Sequence, residues 1–465
     1  MMLLKIAFRN ILRNRRRSVM SVAAIAVGAI AMVLFGGFIA IIILGVQTDT
    51  VRRTGHLAVY RNGYFTFGSG NPAAWGMADY KGTLAMIRDD PVLAPMLNVV
   101  TPSVSLFGIA GNFAIDASRT FFGTGVVPSE RDAMRRWNPY NLTYNRAPET
   151  SGLEDGDPSK GIVGTGLARV LGLCEALSLT DCPPQPPKAD DTAGAPIASD
   201  IAALADSEKA DNAQPVDARP HIDLLAATAG GAPNVISLVV SRADRQGIKE
   251  LDDAMVVMHF DLAQRLLYGR GEPKAVAIVV QLHSTAELPA AKARIAALIA
   301  EHHLDLEVRD FMEIVPYYGQ VLGMFTAIFS FIAAIMAVIV LFTVVNTMSM
   351  SVMERTAEIG TARAIGLRRG GIRRQFLLEG WILGAIGATA GIAFGVVIAV
   401  FVNHAGLTWL PPGQSAPSPL SVMVIGMGKA YGMIWIGLMA MTTLAAIIPA
   451  NRAARLPVVD ALRHV

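Results

Sequence analysis

Residues 314–353 read IVPYYGQVLGMFTAIFSFIAAIMAVIVLFTVVNTMSMSVM, without a single Asp, Glu, Lys or Arg. A bilayer core is crossed by roughly 20 apolar residues, so this run can span a membrane and still continue beyond it. A helix over 317–353, rising about 1.5 Å per residue, would be roughly 55 Å long against a core of about 30 Å. The stretch therefore predicts a membrane helix that projects as a stalk. Pro316 suits its first turn, where the N–H that proline lacks would be unpaired in any case.

Outward from this run, the chain of 465 residues is 52% hydrophobic and 17% charged, a balance that excludes an ordinary soluble enzyme. The apolar residues gather at 18–48 and in the last third, leaving a segment of ordinary globular composition between them. The charge pattern gives the order of compartments. Lys5, Arg9, Arg13, Arg15, Arg16 and Arg17 precede the first apolar run with no acidic residue among them, which keeps 1–17 in the cytoplasm. The uncharged run that follows is roughly twice the 7–15 apolar residues of a cleavable signal, so it reads as a retained span.

The expected layout is a cytoplasmic basic segment (1–17), a first span and stalk (18–48) and an outer domain (49–316). A second span and stalk (317–353) leads to a cytoplasmic helix and loop (354–379) and a third span (380–403). An outer loop (404–429), a fourth span (430–449) and a cytoplasmic tail (450–465) complete it. Arg355, Arg363, Arg368, Arg369, Arg373 and Arg374 lie between spans two and three, whereas the outer loop carries only Lys429. By the positive-inside rule both termini are cytoplasmic and 49–316 is extracytoplasmic. The fold class is an α-helical membrane protein with four transmembrane helices and a large α+β domain between the first two. The net charge of +3 follows this topology and points to no nucleic-acid surface.

Gly380, Gly384, Gly387, Gly391 and Gly395 fall on one face of the third span, where small residues let helices approach closely in lipid. Packing within one subunit and contact between subunits are both compatible with that face. In the outer domain, residues 57–60 favour a strand, and 274–282, 286–302 and 304–308 read as strand, helix and strand, a βαβ-like unit. The Pro-, Ala- and Asp-rich stretch 182–220 reads as a flexible insertion without a core of its own. Cys174 and Cys182, the only cysteines, fall at its base. They are either a disulfide closing a small loop in an oxidising compartment or two unpaired thiols.

Catalytic signatures are missing. No G-x-x-x-x-G-K-[ST] occurs, so ATP hydrolysis would belong to another polypeptide. No Cys/His/carboxylate set has metal-ligand spacing, and the adjacent His302 and His303 read as a solvated surface pair. The spans carry essentially no ionisable residue, which argues against a proton-coupled carrier or an ion channel.

Residues 346–366, NTMSMSVMERTAEIGTARAIG, run from the second span into a short amphipathic segment. Glu354 and Glu358 are one turn apart, and Gly360 and Gly366 permit a bend and a stop. Such a segment can rest on anionic headgroups. The run also resembles the signature of the FtsX-like permease family, which includes MacB-type and LolC/LolE-type ABC subunits. The likeness continues through FLLEG at 376–380, the glycine-rich third span, PANRAAR at 449–455 and DALR at 460–463, and GTGLARVLGL at 164–173 is similar to an outer-domain motif of the family.

The resemblance implies that 354–364 is a coupling helix docking into a separate ABC ATPase subunit, with Glu354, Arg355, Glu358, Ile359, Gly360, Arg363 and Ala364 as contacts. It further implies a second permease subunit, forming a homo- or heterodimer in the bacterial inner membrane, and ATP and Mg²⁺ on the ATPase, with no cofactor or metal in this chain. A periplasmic adaptor or a lipoprotein cargo would meet the outer domain, and membrane lipids the spans. Transport is the leading function: extraction of a lipid-anchored or amphipathic cargo, or expulsion of a periplasmic substrate. Regulation of a bound cell-wall hydrolase and a receptor without ATPase are the alternatives.

Overall fold

The computed structural model of the chain describes residues 7, 9–11, 13, 15–142, 150–180, 182, 219–410 and 417–458. Lys5, most of the insertion expected over 182–220, part of the expected outer loop (411–416) and the ending at 460–463 lie outside these residues. The chain divides into two compact units, 1–46 with 317–409 and 419–465, and 47–316 with 410–418.

The first unit is helical. Among the described residues four helices, Arg15–Thr54, Pro316–Glu354, Arg369–His404 and Gly428–Arg455, are long and apolar enough to cross a membrane. Pro316 opens the second. The fourth is interrupted at Ala446, between Gly428–Ala445 and Ile447–Arg455. Pro449 explains the break, because its ring would clash with the carbonyl four residues earlier, that of Ala445. The third helix begins at Arg369, so most of 369–379, expected as loop, is its first three turns. Arg373 and Arg374 lie exposed on that extension, where water solvates their charge and the helix keeps its backbone bonds.

Ile25, Ala29, Val344, Leu383, Ala388 and Leu438 join all four spans in one buried cluster. The second span contributes only a narrow stripe, Val340, Val344, Met348 and Val352, one turn apart. Phe331, Val338, Ile339 and Phe342 are exposed within the single chain, while Leu341 and Val345 pack half-buried against the cluster. The glycine face of the third span is consumed inside this unit. A Cβ at Gly391 would sit 2.5 Å from the Ala26 carbonyl oxygen and 2.6 Å from the Ala29 Cβ, and one at Gly387 would sit 2.7 Å from the Ile25 Cβ. Gly380 and Gly384 close on Ala446 and Thr442 in the same way.

The second unit is built on strands β1 (Leu57–Arg61), β2 (Leu97–Asn112), β3 (Ala117–Val126), β4 (Lys160–Gly164), β5 (His221–Ala227), β6 (Pro233–Asp244), β7 (Met255–His259), β8 (Ala277–Leu282) and β9 (Leu306–Asp310). One part is the antiparallel set β9-β1-β8-β2, with helices Tyr80–Arg88 and Leu288–Glu301 in its two crossovers. That is a split βαβ arrangement. The expected βαβ unit is present in this form, β1 lying between the two parallel strands β8 and β9. All six residues of β8 are buried, as a central strand requires.

The second half of β2 leaves that set and pairs with β3 and β5. From there the pairing runs β5-β6-β4-β7-β3 and returns to β2, closing a six-stranded ring without a free edge. The GTGLARVLGL motif turns from β4 into helix Thr165–Val170. Its first amides are satisfied by the buried carboxylate of Asp252, which accepts from Thr165 N at 3.1 Å and Gly166 N at 2.9 Å. Residues 47–54 of the first helix also belong to this unit. Arg131 donates to the carbonyls of Arg52 and Arg53, 2.9 Å each, satisfying the last turn of that helix. Burial, with Arg135 and Arg53 nearby, pulls the Arg131 guanidinium down to about 10.

Cys174 and Cys182 are bonded, with Cα atoms 6.2 Å apart. Unreduced protein is expected to leave both thiols unreactive to maleimide after unfolding, and labelling of either would contradict the bridge. Replacing Gly391 by Leu should lower the unfolding temperature in detergent, at an overpacking cost of about 1–3 kcal/mol. Gly437, whose Cβ position is open, is the control, and Gly437→Leu should leave it unchanged.

Candidate functional site

The segment 354–366 is a second short helix set on the end of the second span. The span closes at Glu354, Arg355 departs from helical geometry with φ −104° and ψ 17°, and helix Thr356–Ala364 follows. The helix ends in a Schellman motif: Gly366 N–H donates to the Arg363 carbonyl and Leu367 N–H to that of Ala362, 3.0 Å each. Gly366 sits at φ +106°, which a residue with a Cβ adopts only under strain.

The charges on this helix are committed. The Arg355 side chain, 8% accessible, donates from Nη1 to both oxygens of Glu379, at 3.0 and 3.3 Å, and Glu379 is 4% accessible. The guanidinium also lies 5.5 Å from the centre of the Phe376 ring. Asn10 donates to Glu379 at 2.8 Å. Outside this buried pair, Arg13 grips both oxygens of Glu358, at 2.8 and 2.9 Å, and Arg17 pairs with Glu354. The hydrogen-bonded Arg13 guanidinium holds the Glu358 carboxyl below the usual glutamate range. Arg363 reaches across to the carbonyl of Leu456.

The seven contact residues expected from the motif therefore divide. Glu354, Glu358 and Ala364 are exposed and Arg363 is half-buried. Arg355, Ile359 and Gly360 are buried inside the unit, and their assignment as surface contacts is corrected accordingly. They form the inner face, Ile359 joining the same cluster as Val352, Ile372 and Phe376. The residues that the motif did not mark are apolar: Ile365 is 83% exposed, Met353 64% and Leu367 41%. The signal for them was available, since an isoleucine and a leucine flanking a left-handed glycine lie past the last helical turn.

The second unit carries an apolar surface that motif reading did not mark. Phe107 faces Phe122, Ile109 faces Leu225 and Leu225 faces Val235 across β3, β2, β5 and β6. All five are at least about a third exposed, and the two phenylalanine rings pack edge to face at 5.3 Å. Contiguous exposed apolar groups of this kind mark contact surfaces. Among the described residues no group of His, Cys, Asp or Glu has metal-holding geometry.

Comparison with known proteins matches residues 330–458 to the model of the FtsX-like permease C-terminal domain. An uncharacterized ABC transporter permease YknZ of Bacillus subtilis (strain 168) is 33% identical over 190 residues, 40% of this chain and 44% of that protein. A macrolide export ATP-binding/permease protein MacB of Neisseria gonorrhoeae is 32% identical over 196 residues, 41% of this chain and 28% of its own length. MacB of Hyphomonas neptunium is 26% identical over 239 residues, 50% and 34% respectively. The chain thus spans less than half the length of each of these relatives.

Two substitutions separate the buried pair from the exposed one. Arg355→Ala leaves Glu379 charged and buried, and should destabilise the protein by about 3–5 kcal/mol. Arg13→Ala removes a partner that is 54% accessible, with an expected cost below about 1 kcal/mol. Thermal unfolding of both in the same detergent checks the order, and equal effects would contradict it.

Proposed function

Since this chain belongs to the FtsX-like ABC permease family through residues 330–458, we propose that it is the membrane subunit of an ATP-driven transporter. In this reading the chain hydrolyses nothing itself. A separate ATPase, holding ATP and Mg²⁺, docks on helix Thr356–Ala364 from the cytoplasmic side of the inner membrane, and the unit 47–316 stands in the periplasm. Both termini are cytoplasmic.

The observation that carries the proposal is the attachment of the short helix to its own protein. A docking element that is to transmit a push must not rotate on its stem. The Arg355–Glu379 pair ties it to the third span, Arg363 to the carbonyl of Leu456, and the second span continues into it with one residue between. Motion of the helix then moves the ends of the second and third spans together.

A second permease subunit fits the exposed face of the second span, which one chain leaves uncovered over most of its length. The apolar stripe across β3, β2, β5 and β6 is the surface proposed to meet cargo or an adaptor, with a lipid-anchored or amphipathic molecule as the chemistry it suits. Transport is preferred to hydrolase regulation on this ground, because a cargo with an apolar anchor matches an apolar stripe.

Purification of the full chain from native membranes in mild detergent should retain an ABC ATPase in a fixed ratio, identified by mass spectrometry. A preparation with no ATPase, under conditions in which the second permease is retained, would favour a receptor instead.

A further inference from the structure

The chain enters and leaves the sheet unit in different ways. It enters on the first helix, which runs unbroken from Arg15 to Thr54, and no residue from 47 to 56 is exposed. A helix ends in carbonyls that have no partner within it, and here three of them are met from other elements. Arg131, on the helix Pro128–Arg135, donates to the Arg52 and Arg53 carbonyls. Gln281, fully buried in the central strand β8, donates through Nε2 to the Val51 carbonyl at 3.3 Å and to the Met134 carbonyl at 3.2 Å. Its Oε1 accepts from Asn98 at 2.7 Å, so both ends of the amide are used. Arg52 Nε donates to the Trp137 carbonyl at 2.7 Å, and Gln47 Nε2 to Thr285 Oγ1 at 3.0 Å. Gly55 then turns the chain at φ +72°, where a Cβ would sit 2.6 Å from Val279 Cγ1 and 2.8 Å from the Val280 carbonyl oxygen. The helix end is thereby pressed directly onto β8.

The chain leaves through the four-residue helix Phe311–Ile314, then Val315 and Pro316. The short helix itself is held: Phe311 is buried and its N–H donates to the His56 carbonyl at 3.0 Å, while Lys292 Nζ reaches Asp310 and Glu313 at 2.8 Å each. Past Ile314 that hold stops. A residue before proline is pushed out of the helical region, and Val315 sits at φ −120° and ψ 80°. Pro316 has no N–H to continue the ladder. From 316 to 320 every residue but Tyr318 is exposed.

We infer that the last two turns of the first helix move as one body with the sheet, positioned by Gln281 and Arg131, and that Val315–Pro316 is a pivot. One or two residues at the end of an element are enough to absorb the change in φ and ψ that a hinge requires. Turning of the first helix is then carried into β8, whereas turning of the second stops at the pivot. Of the two connections, one transmits torque to the strands and the other only tethers them. The two joints are properties of this chain alone, so their failure would leave the proposed function intact.

The test uses the full chain in lipid nanodiscs with nitroxide pairs at Asp49→Cys with Ser237→Cys and at Gln320→Cys with Ser237→Cys, read by pulsed dipolar electron paramagnetic resonance. The Asp49 side chain is 47% accessible and Ser237 and Gln320 are exposed. Cys174 and Cys182 are bonded, so the label goes to the engineered thiols. The 49–237 distance should be narrowly distributed, and the 320–237 distribution at least about twice as wide. Pro316→Ala lets the helix run through the joint, and should narrow 320–237 to within about 1.5-fold of 49–237. Arg131→Met should about double the 49–237 width, and Arg131→Lys, which keeps a donor, should restore it. A merely structural Arg131 would lower the unfolding temperature without widening the distribution. Equal widths in the wild type, an unchanged 320–237 width in Pro316→Ala, or an unchanged 49–237 width in Arg131→Met would each overturn the inference. The wild-type comparison decides it even where Arg131→Met does not fold.

Discussion

Taking a guanidinium out of water costs several kcal/mol unless a partner offsets it, and the meeting of Arg355 with Glu379 is the constraint on which the rest of the helical unit depends. Arg355 stands at the joint between the second span and the short helix, and Glu379 lies a few turns into the third. Leaving either charge alone would cost several kcal/mol, so the two elements are held in one relation. The Phe376 ring lies against the guanidinium, the amide of Asn10 donates to Glu379, and Arg355 Nε donates to Glu358 at 3.3 Å. Ile359 and Gly360 are buried for the same reason, since the helix must lie on its inner face for Arg355 to reach its partner.

Apolar length without charge was readable directly, because a bilayer core demands it and little else produces it. The four spans follow from that, and the prolines at 316 and 449 mark a start and a break for reasons of backbone chemistry alone. The E-R-T-x-E-I-G motif gave the place of the short helix Thr356–Ala364. It did not say which of its faces looks outward, since a nine-residue helix with small and charged residues on all sides has no strong period. Glu379 read as the end of a loop, although it is buried within a helix that starts at Arg369. The N-terminal arginines read as a topology signal, and two of them also neutralise glutamates far along the chain. Pairings across hundreds of positions leave no local pattern to find.

In the sheet unit the split βαβ part was partly legible, since strand, helix and strand follow one another in 274–308. The closed ring was not. Its pairings join β3 to β7 and β4 to β6 in parallel, over separations that only the fold brings together. The long β2 serves both parts, which a reading of one strand against one neighbour does not foresee. The apolar stripe on the ring's outer face was hidden among ordinary strand residues, because Phe, Ile and Leu in a strand read as core until the pairing shows which side they face.

The most direct measurement of the central claim is a double-mutant cycle on Arg355 and Glu379, read as unfolding of the full chain in detergent. Arg355→Gln and Glu379→Gln should each destabilise strongly, and the double variant should be less stable than wild type by clearly less than their sum, with an interaction of about 2–3 kcal/mol. Effects that add within about 0.5 kcal/mol would mean that the two side chains do not hold one another, and that helix Thr356–Ala364 is not tied to the third span as described.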